Sequence, residues 1–162
     1  MRHNQSLIGV ISDTHSWYDP VVKEHFKGVD HILHAGDIGD IKVLYRLREI
    51  APVTAVRGNI DGELHPTPLK LEEKVRLFGI DIFMTHILGN PEHLSHKLQL
   101  KVKKFTPDVV IFGHTHQCYL GSREGVLYFN PGSAGPRRFS LPRSIGLLEV
   151  AMGKVEGRII KI

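Results

Sequence analysis

The sequence predicts an α/β protein in which two β-sheets pack face to face, with helices on the outside. Strand and helix patterns alternate in the first half of the chain, whereas short strands separated by turn residues dominate the second half. Several of the strands are apolar along most of their length. Such runs have to be covered on both faces, and two stacked sheets with outer helices provide that cover.

The first half of the chain follows a βαβαβ order. Apolar runs predict strands at 7–12, 31–34 and 53–56, and apolar residues at helical spacing predict helices at 20–26 and 41–50. This order predicts parallel strands that are joined by right-handed crossovers. Open α/β sheets bind ligands at the carboxyl ends of such strands, so we expect functional residues there.

The second half of the chain predicts a hairpin, a helix and a series of short strands. The hairpin strands cover 69–77 and 80–85 around Gly79, the helix covers 91–105, and a buried strand covers 109–112. Four more strands are predicted at 119–121, 126–129, 145–150 and 155–160. Turn pairs such as Glu124-Gly125 and Gly153-Lys154 separate them, and this spacing favours an antiparallel meander.

The composition is that of a single globular domain. With 162 residues and 41% hydrophobic content, the chain can form one sizeable core, so we expect a single domain over residues 1–162. A net charge of +4 is only mildly basic and does not indicate a nucleic-acid partner. No run suggests a secretory signal or a membrane span. The single cysteine, Cys118, excludes an internal disulfide and favours a cytoplasmic location.

Side chains that can bind metal ions follow five of the predicted strands. They are Asp13, His15, Asp37, Asn59, His86, His114 and His116. Residues two apart on a regular strand point the same way, so Asp13 and His15 form a chelating pair, and His114 and His116 repeat that spacing. Carboxylate and imidazole ligands together suit Mn, Fe, Zn or Ni rather than Ca. The sequence therefore predicts two adjacent metal ions.

Two adjacent ions would support hydrolysis. In sites where the ions are about 3.5 to 4 Å apart, one carboxylate can bridge them, a bound water becomes hydroxide near neutral pH, and both ions stabilise the transition state. We expect Asp37 to be the bridging carboxylate. The predicted chemistry is therefore metal-assisted hydrolysis.

The five segments together resemble the pattern of the calcineurin-like metallophosphoesterase family. They are D-x-H at Asp13, G-D at Gly36, G-N-x-D at Gly58, the lone His86 and G-H-x-H at Gly113. The resemblance runs from residue 7 to about residue 150 and is closest to the small bacterial and archaeal phosphodiesterases. It implies a four-layer αββα sandwich of two mixed β-sheets flanked by helices.

The resemblance also implies how the two ions are shared. One ion would be bound by Asp13, His15, Asp37 and His116, and the other by Asp37, Asn59, His86 and His114. Asp37, Asn59 and His86 would be the catalytic residues, with Asn59 also contacting a substrate phosphate oxygen. Among the divalent metals we expect Mn first, with Zn, Fe or Ni as alternatives.

Two functional hypotheses follow from the resemblance. The first is a phosphodiesterase or phosphatase that cleaves a small phosphate ester by in-line attack of a hydroxide bridging the two metals. The second is a non-catalytic interaction scaffold, because the subfamily is also similar to a retromer scaffold subunit in which several ligand positions are changed. Here all seven positions are kept, which favours the enzyme. Family habit and the apolar pair Trp17-Tyr18 suggest a homodimer.

The chain departs from the family pattern beside the expected site. Ile60 occupies the position where related protein phosphatases have the histidine that protonates the leaving group, so we expect good leaving groups to be favoured. Asp61 or His65 could supply a proton by another route. Ile87 and Leu88 follow His86 where a second histidine is usual, which concerns substrate contacts.

Some of these residues also have ordinary structural explanations. Taken alone, Asp37 could cap a helix and Asn59 could be a turn residue. For Asp40 we favour a helix cap. His34 could orient a ligand or be a buried, hydrogen-bonded histidine.

Two nearby features of the second half are also open to interpretation. The turn at 130–133 could bind an anion or simply connect strands. Arg137 and Arg138 are expected to be solvated, with a phosphate contact by one of them as the alternative.

Overall fold

A computed structural model describes residues 5–62 and 68–162. Within these ranges the chain forms ten strands and three helices. In chain order they are β1 (Gln5–Ile11), α1 (Val21–His25), β2 (His31–His34), α2 (Lys42–Arg48), β3 (Val53–Ala55), β4 (Glu72–Leu77), β5 (Ile80–Thr85), α3 (His96–Phe105), β6 (Val109–Ile111), β7 (Tyr119–Arg123), β8 (Val126–Asn130), β9 (Ser144–Ala151) and β10 (Lys154–Lys161).

The strands form two five-stranded mixed sheets. The first sheet has the order β10-β9-β1-β2-β3 and the second has the order β4-β5-β6-β8-β7. In the first sheet, the pairs β10-β9 and β9-β1 are antiparallel and the pairs β1-β2 and β2-β3 are parallel. In the second sheet, the parallel pairs β5-β6 and β6-β8 lie between the antiparallel pairs β4-β5 and β7-β8. The α/β class and its two mixed sheets are confirmed, as are the parallel pairs β1-β2 and β2-β3.

Three apolar clusters define the layers of the molecule. One cluster joins the two sheets through side chains such as Ile8 of β1 and Ile111 of β6. A second cluster packs α1 and α2 against the first sheet through Phe26 and Leu44, and a third packs α3 against the second sheet through Val102. The order of layers is therefore helix, sheet, sheet, helix, as the family resemblance implies.

The predicted antiparallel meander of the last four strands is wrong. β7 and β8 form a hairpin at the edge of the second sheet, whereas β9 pairs with β1 in the first sheet and β10 pairs with β9. The physical reason lies in β9, which is buried along nearly its whole length. Such a strand needs a neighbour on each side and cover on both faces, so it occupies an inner position.

The helices are short, and α3 begins later than the sequence predicts. Ser95 caps it, with Oγ accepting a hydrogen bond from the backbone N–H of Leu98 at 3.4 Å. The preceding residues form a turn instead, in which the Asn90 side chain accepts from the Glu92 N–H at 2.9 Å. In the described part of the chain, no helix has the length and apolar character to cross a bilayer.

Candidate metal centre

All seven predicted ligand residues lie together beyond the carboxyl ends of the parallel strands β1, β2, β3, β5 and β6. Their side chains form two groups, and within each group the ligand atoms lie within 4.8 Å of one another. The first group is Asp13, His15 and His116, and the second is Asp37, His86 and His114. Asn59 joins the second group, because its Oδ1 atom lies 3.1 Å from Nε2 of His86 and 3.0 Å from Nδ1 of His114.

Asp37 lies between the two groups. Its Oδ2 atom is 3.7 Å from Nε2 of His15 on one side and 3.3 Å from Nε2 of His86 on the other. Its Oδ1 atom accepts a hydrogen bond from the backbone N–H of Ile60 at 3.0 Å, which fixes the orientation of the carboxylate. Burial would raise the pKa of Asp37, but the hydrogen bonds from His86 and Ile60 outweigh it and hold the pKa at about 2.

Asp13 provides the test of whether a cation fits. Its Oδ2 atom accepts hydrogen bonds from the Ser12 hydroxyl at 2.6 Å and from the His114 N–H at 3.1 Å. Its Oδ1 atom is buried without a hydrogen-bond donor and lies 3.2 Å from Nε2 of His116. Burial raises the pKa of Asp13, yet the adjacent His116 and Ser12 lower it further than burial raises it. An unpaired buried carboxylate oxygen is costly, and a cation would satisfy it.

His86 is held in the orientation that a metal ligand needs. Its Nδ1 atom lies 2.7 Å from the carbonyl oxygen of Ala35, so Nδ1 carries a proton that it donates to that carbonyl. In the neutral ring the lone pair is then on Nε2, which faces Asp37 and Asn59. Backbone carbonyls orient metal-binding histidines in this way in many proteins.

Five of the seven residues have a left-handed backbone. Asp13, His15, Asp37, His114 and His116 have φ values between 46° and 72°. This conformation is unfavourable for residues other than glycine and typically costs about 1 to 3 kcal/mol each. It turns the chain sharply after the strands and directs the side chains of neighbouring loops toward a common point. Sequence reasoning missed this strain, because the residue types themselves do not show it.

The structure gives Asp61 a positioning role instead of the proposed role as a proton donor. Its Oδ2 atom accepts from the backbone N–H groups of Ile38 at 3.1 Å and Gly58 at 2.8 Å. Its Oδ1 atom accepts from the Gly39 N–H at 2.9 Å. Both carboxylate oxygens thus tie together the loops that carry Asp37 and Asn59. The other proposed donor, His65, lies outside the described residues.

The turn at 130–133 forms hydrogen bonds to the loops of the site, which favours the structural interpretation of this segment. The Asn130 amide donates to the carbonyl of Gly113 at 3.0 Å, and its Oδ1 atom accepts from the Gly132 N–H at 2.9 Å. The Ser133 hydroxyl donates to the backbone carbonyl of Asp13 at 3.0 Å. The turn therefore fixes both loops that supply the first ligand group.

Asp40 has the structural role that the sequence favours. Its side chain accepts from the backbone N–H of Lys42 at 2.9 Å, at the start of α2. This is the position at which a helix has free N–H groups, so the cap interpretation is confirmed. No contact links Asp40 to the two ligand groups, since its other neighbours are the exposed Lys42 ammonium and the Ser16 hydroxyl.

His34 is a buried histidine that supports the loops behind the ligands. Its Nδ1 atom accepts from the Gly36 N–H at 3.2 Å, so the proton is on Nε2, which lies 3.0 Å from Oγ1 of Thr14. Thr14 in turn donates to the carbonyl of Ile38 at 3.0 Å. Each polar atom in this series of hydrogen bonds has a partner as long as the His34 ring is neutral. Both interpretations left open for His34 apply. The ring is buried with both nitrogens hydrogen-bonded, and these bonds orient the loops that carry predicted ligands.

The burial of His34 predicts a loss of stability in acid. Burial lowers the pKa of His34 from 6.5 to about 4. The unfolded chain therefore binds a proton below pH 6.5 that the folded chain does not bind, and the stability lost on acidification levels off below pH 4. Between pH 7 and 4.5 the metal-free wild type should lose about 2 kcal/mol more free energy of unfolding than His34→Gln. Urea unfolding at both pH values measures this difference, and His93→Gln should behave like the wild type. Parallel losses in His34→Gln and wild type would contradict it.

The chain is similar in sequence to known proteins. The chain matches the calcineurin-like phosphoesterase superfamily domain over residues 7–153. It is 39% identical over 165 residues to a probable metallophosphoesterase of Methanocaldococcus jannaschii, and the match covers 96% of this chain and 81% of that protein.

Two solved structures are similar over almost the whole chain. An archaeal phosphodiesterase superimposes with a TM-score of 0.75 at 27% identity, over 96% of this chain and 99% of that one. Vacuolar protein sorting 29 of Cryptosporidium parvum superimposes with a TM-score of 0.77 at 18% identity, over 98% of both chains. At that identity the second likeness shows a shared fold only.

Proposed function

Because the chain belongs to the calcineurin-like phosphoesterase superfamily, we propose that it is a metal-dependent phosphodiesterase that hydrolyses a small phosphate ester. The observation that carries this proposal is the position of Asp37. Its Oδ2 atom lies between two groups of ligand atoms and is 3.7 Å and 3.3 Å from the nearest nitrogens of each. A carboxylate in this position suits two adjacent cations.

The proposed ligand sets follow the two groups of side chains. One metal ion would be bound by Asp13, His15, His116 and Asp37, and the other by Asp37, Asn59, His86 and His114. We propose Mn as the metal, with Zn, Fe and Ni as alternatives, because mixed carboxylate and imidazole ligands accept all four. When bound, two such ions would supply charge stabilisation and an activated water.

The residues of the chain would orient the ester and leave room for its leaving group. Asn59 turns Oδ1 toward His86 and His114, so its amide nitrogen is the group that can donate to a phosphate oxygen. Ile60 follows directly and is 47% exposed, so an apolar side chain lies where a proton donor would help a poor leaving group. We therefore propose that the enzyme prefers esters with activated leaving groups.

Hydrolysis of bis(4-nitrophenyl) phosphate tests this proposal. We expect turnover with Mn, and we expect His86→Ala to lower kcat/KM by more than roughly 100-fold, because even residues that only support a metal ligand are worth up to that much. His93→Ala is the matched control, since His93 is an exposed turn residue, and it should retain full activity. Absence of turnover by the wild type with Mn, Zn, Fe and Ni would refute the proposal and favour the scaffold hypothesis.

A cytoplasmic location and a homodimer remain proposals. The first is supported by the single cysteine. The second is supported by Trp17, which is 41% exposed and packs its ring 4.2 Å from the Arg143 guanidinium. No nucleic-acid or membrane partner is proposed.

A further inference from the structure

A recess of about 170 Å³ opens directly beside the candidate metal centre. Its walls are formed by His114, Thr115, His116, Arg138, Phe139 and Leu141. Pockets that hold a whole drug-sized ligand are typically about 300 to 1,000 Å³, so this smaller recess has room for one organic group of a ligand. His114 and His116 line the recess and are also proposed metal ligands, so a group bound here is adjacent to the reacting atoms.

Arg138 brings a cation to the mouth of the recess. Its Nη2 atom lies 3.4 Å from Nδ1 of His15. Among the residues at 5–62 and 68–162, no carboxylate forms a salt bridge with Arg138, whereas nearby Arg143 is paired with Asp19 at 2.8 Å. Arg143 therefore has a structural partner, and Arg138 has its charge available for a ligand.

The contact between Arg138 and His15 depends on the state of the imidazole. Nε2 of His15 faces the carboxylates of Asp13 and Asp37, at 3.9 Å and 3.7 Å. When Nε2 gives its lone pair to a cation, the ring proton has to be on Nδ1, and Arg138 then has no acceptor there. A guanidinium close to metal cations is repelled by them unless an anion lies between. A phosphate can be that anion, because the planar guanidinium can donate two parallel hydrogen bonds to its oxygens.

The other side of the recess is apolar. Phe139 is 92% exposed, so its ring lies outside the core. Leu141 lies beside it in the same wall. Two further exposed apolar residues, Ile60 and Ile87, directly follow proposed ligands in the sequence. Because this aromatic ring is so exposed, packing a planar or apolar ligand group against it would bury a large apolar surface and stabilise the complex.

From this arrangement we propose that the substrate is a phosphodiester with an aromatic or apolar ester group. Arg138 binds a non-bridging phosphate oxygen, and Phe139 and Leu141 pack against the organic group that stays attached to phosphorus. This inference rests on the proposed function and names its substrate class. A monoester has no second organic group to fill the recess, so diesters are preferred over monoesters.

Binding of two stable phosphinate anions tests the two contacts separately. Diphenylphosphinate has two aromatic groups, dimethylphosphinate has none, and neither has an ester bond to hydrolyse. In calorimetric titrations of the Mn-loaded protein, Arg138→Ala should weaken the binding of both anions by roughly 10-fold or more, because the substitution removes a charged hydrogen bond. Phe139→Ala should weaken diphenylphosphinate by roughly 3- to 10-fold and leave dimethylphosphinate unchanged. Arg137→Ala is the matched control and should bind both anions like the wild type.

Unchanged binding of both anions by Arg138→Ala and Phe139→Ala would overturn the inference, and so would an equal loss of both anions in Phe139→Ala. Hydrolysis of bis(4-nitrophenyl) phosphate by the wild type, measured in parallel, separates this failure from failure of the proposed function. A wild type that does not hydrolyse the ester refutes the proposed function. Normal hydrolysis together with unchanged binding in the variants refutes only the assignment of the recess.

Discussion

Replacing Asp37 by alanine is expected to remove both metal ions from the protein and to abolish hydrolysis. Its Oδ2 atom lies between both groups, at 3.7 Å from Nε2 of His15 and 3.3 Å from Nε2 of His86. Without it, two divalent ions would be held close together with no anion between them to offset their repulsion. Elemental analysis after dialysis should find less than one ion per Asp37→Ala chain, compared with two in the wild type.

The control for this experiment is Asp40→Ala. Asp40 is three residues further along the same loop, but its side chain is 43% exposed and caps α2. Its loss should lower the free energy of unfolding by about 1 kcal/mol, as for other helix caps, and leave the metal content at two. A full complement of two ions in Asp37→Ala would show that Asp37 does not bridge.

Gly58→Ala should abolish the proposed hydrolysis, although glycine contributes no ligand. A methyl group at this position would lie 2.1 Å from the backbone nitrogen and from Oδ1 of Asp37. Real contacts of a Cβ atom are never that short, so the Asp37 loop has to move. A displacement of about 1 Å at reacting groups can cost roughly 100-fold in rate, and we expect a loss of kcat/KM of at least that size.

Gly62→Ala is the matched control, because a methyl group there has no neighbour within 4 Å among residues 5–62 and 68–162. It should keep wild-type metal content and activity. Thermal unfolding of both variants shows whether the loss of activity in Gly58→Ala has a local cause. A shifted loop leaves the apolar clusters between the layers intact, so the two variants should unfold at similar temperatures. Wild-type activity in Gly58→Ala would mean that the backbone packing around Asp37 is not needed for catalysis.

The positions of the ligands could be predicted from the sequence because strand ends are local features. Asp13, Asp37 and His86 each follow an apolar run within three residues of its end, and those runs are β1, β2 and β5. The carboxyl ends of neighbouring parallel strands meet at one edge of a sheet. Sequence spacing was therefore enough to predict which side chains come together.

Contacts between distant parts of the chain could not be predicted in the same way. The Ser133 hydroxyl bonds to the carbonyl of Asp13 across 120 positions, and Arg138 approaches His15 across 123 positions. Both contacts depend on β9 returning to β1, whereas local turn signals favoured a meander of consecutive strands. Pairing of β9 with β1 is decided by burial of the whole strand, which only the assembled sheets determine.

The atomic environment of the ligands was also beyond sequence reasoning. That Oδ1 of Asp13 lacks a donor, while Oδ2 accepts from Ser12, depends on side-chain orientation at a strained backbone position. The same holds for Asp61, whose carboxylate is occupied by three backbone N–H groups. Its spacing from Asn59 suggested chemistry, but its geometry supports loop positioning.

Anomalous diffraction from crystals grown with Mn is the most direct test that these side chains form one binuclear centre. We predict two strong peaks about 3.5 to 4 Å apart. Oδ2 of Asp37 should lie between them, with Oδ1 of Asp13 on one ion and Oδ1 of Asn59 on the other. A single peak, or peaks bound elsewhere on the protein, would contradict the binuclear centre and the hydrolysis that depends on it.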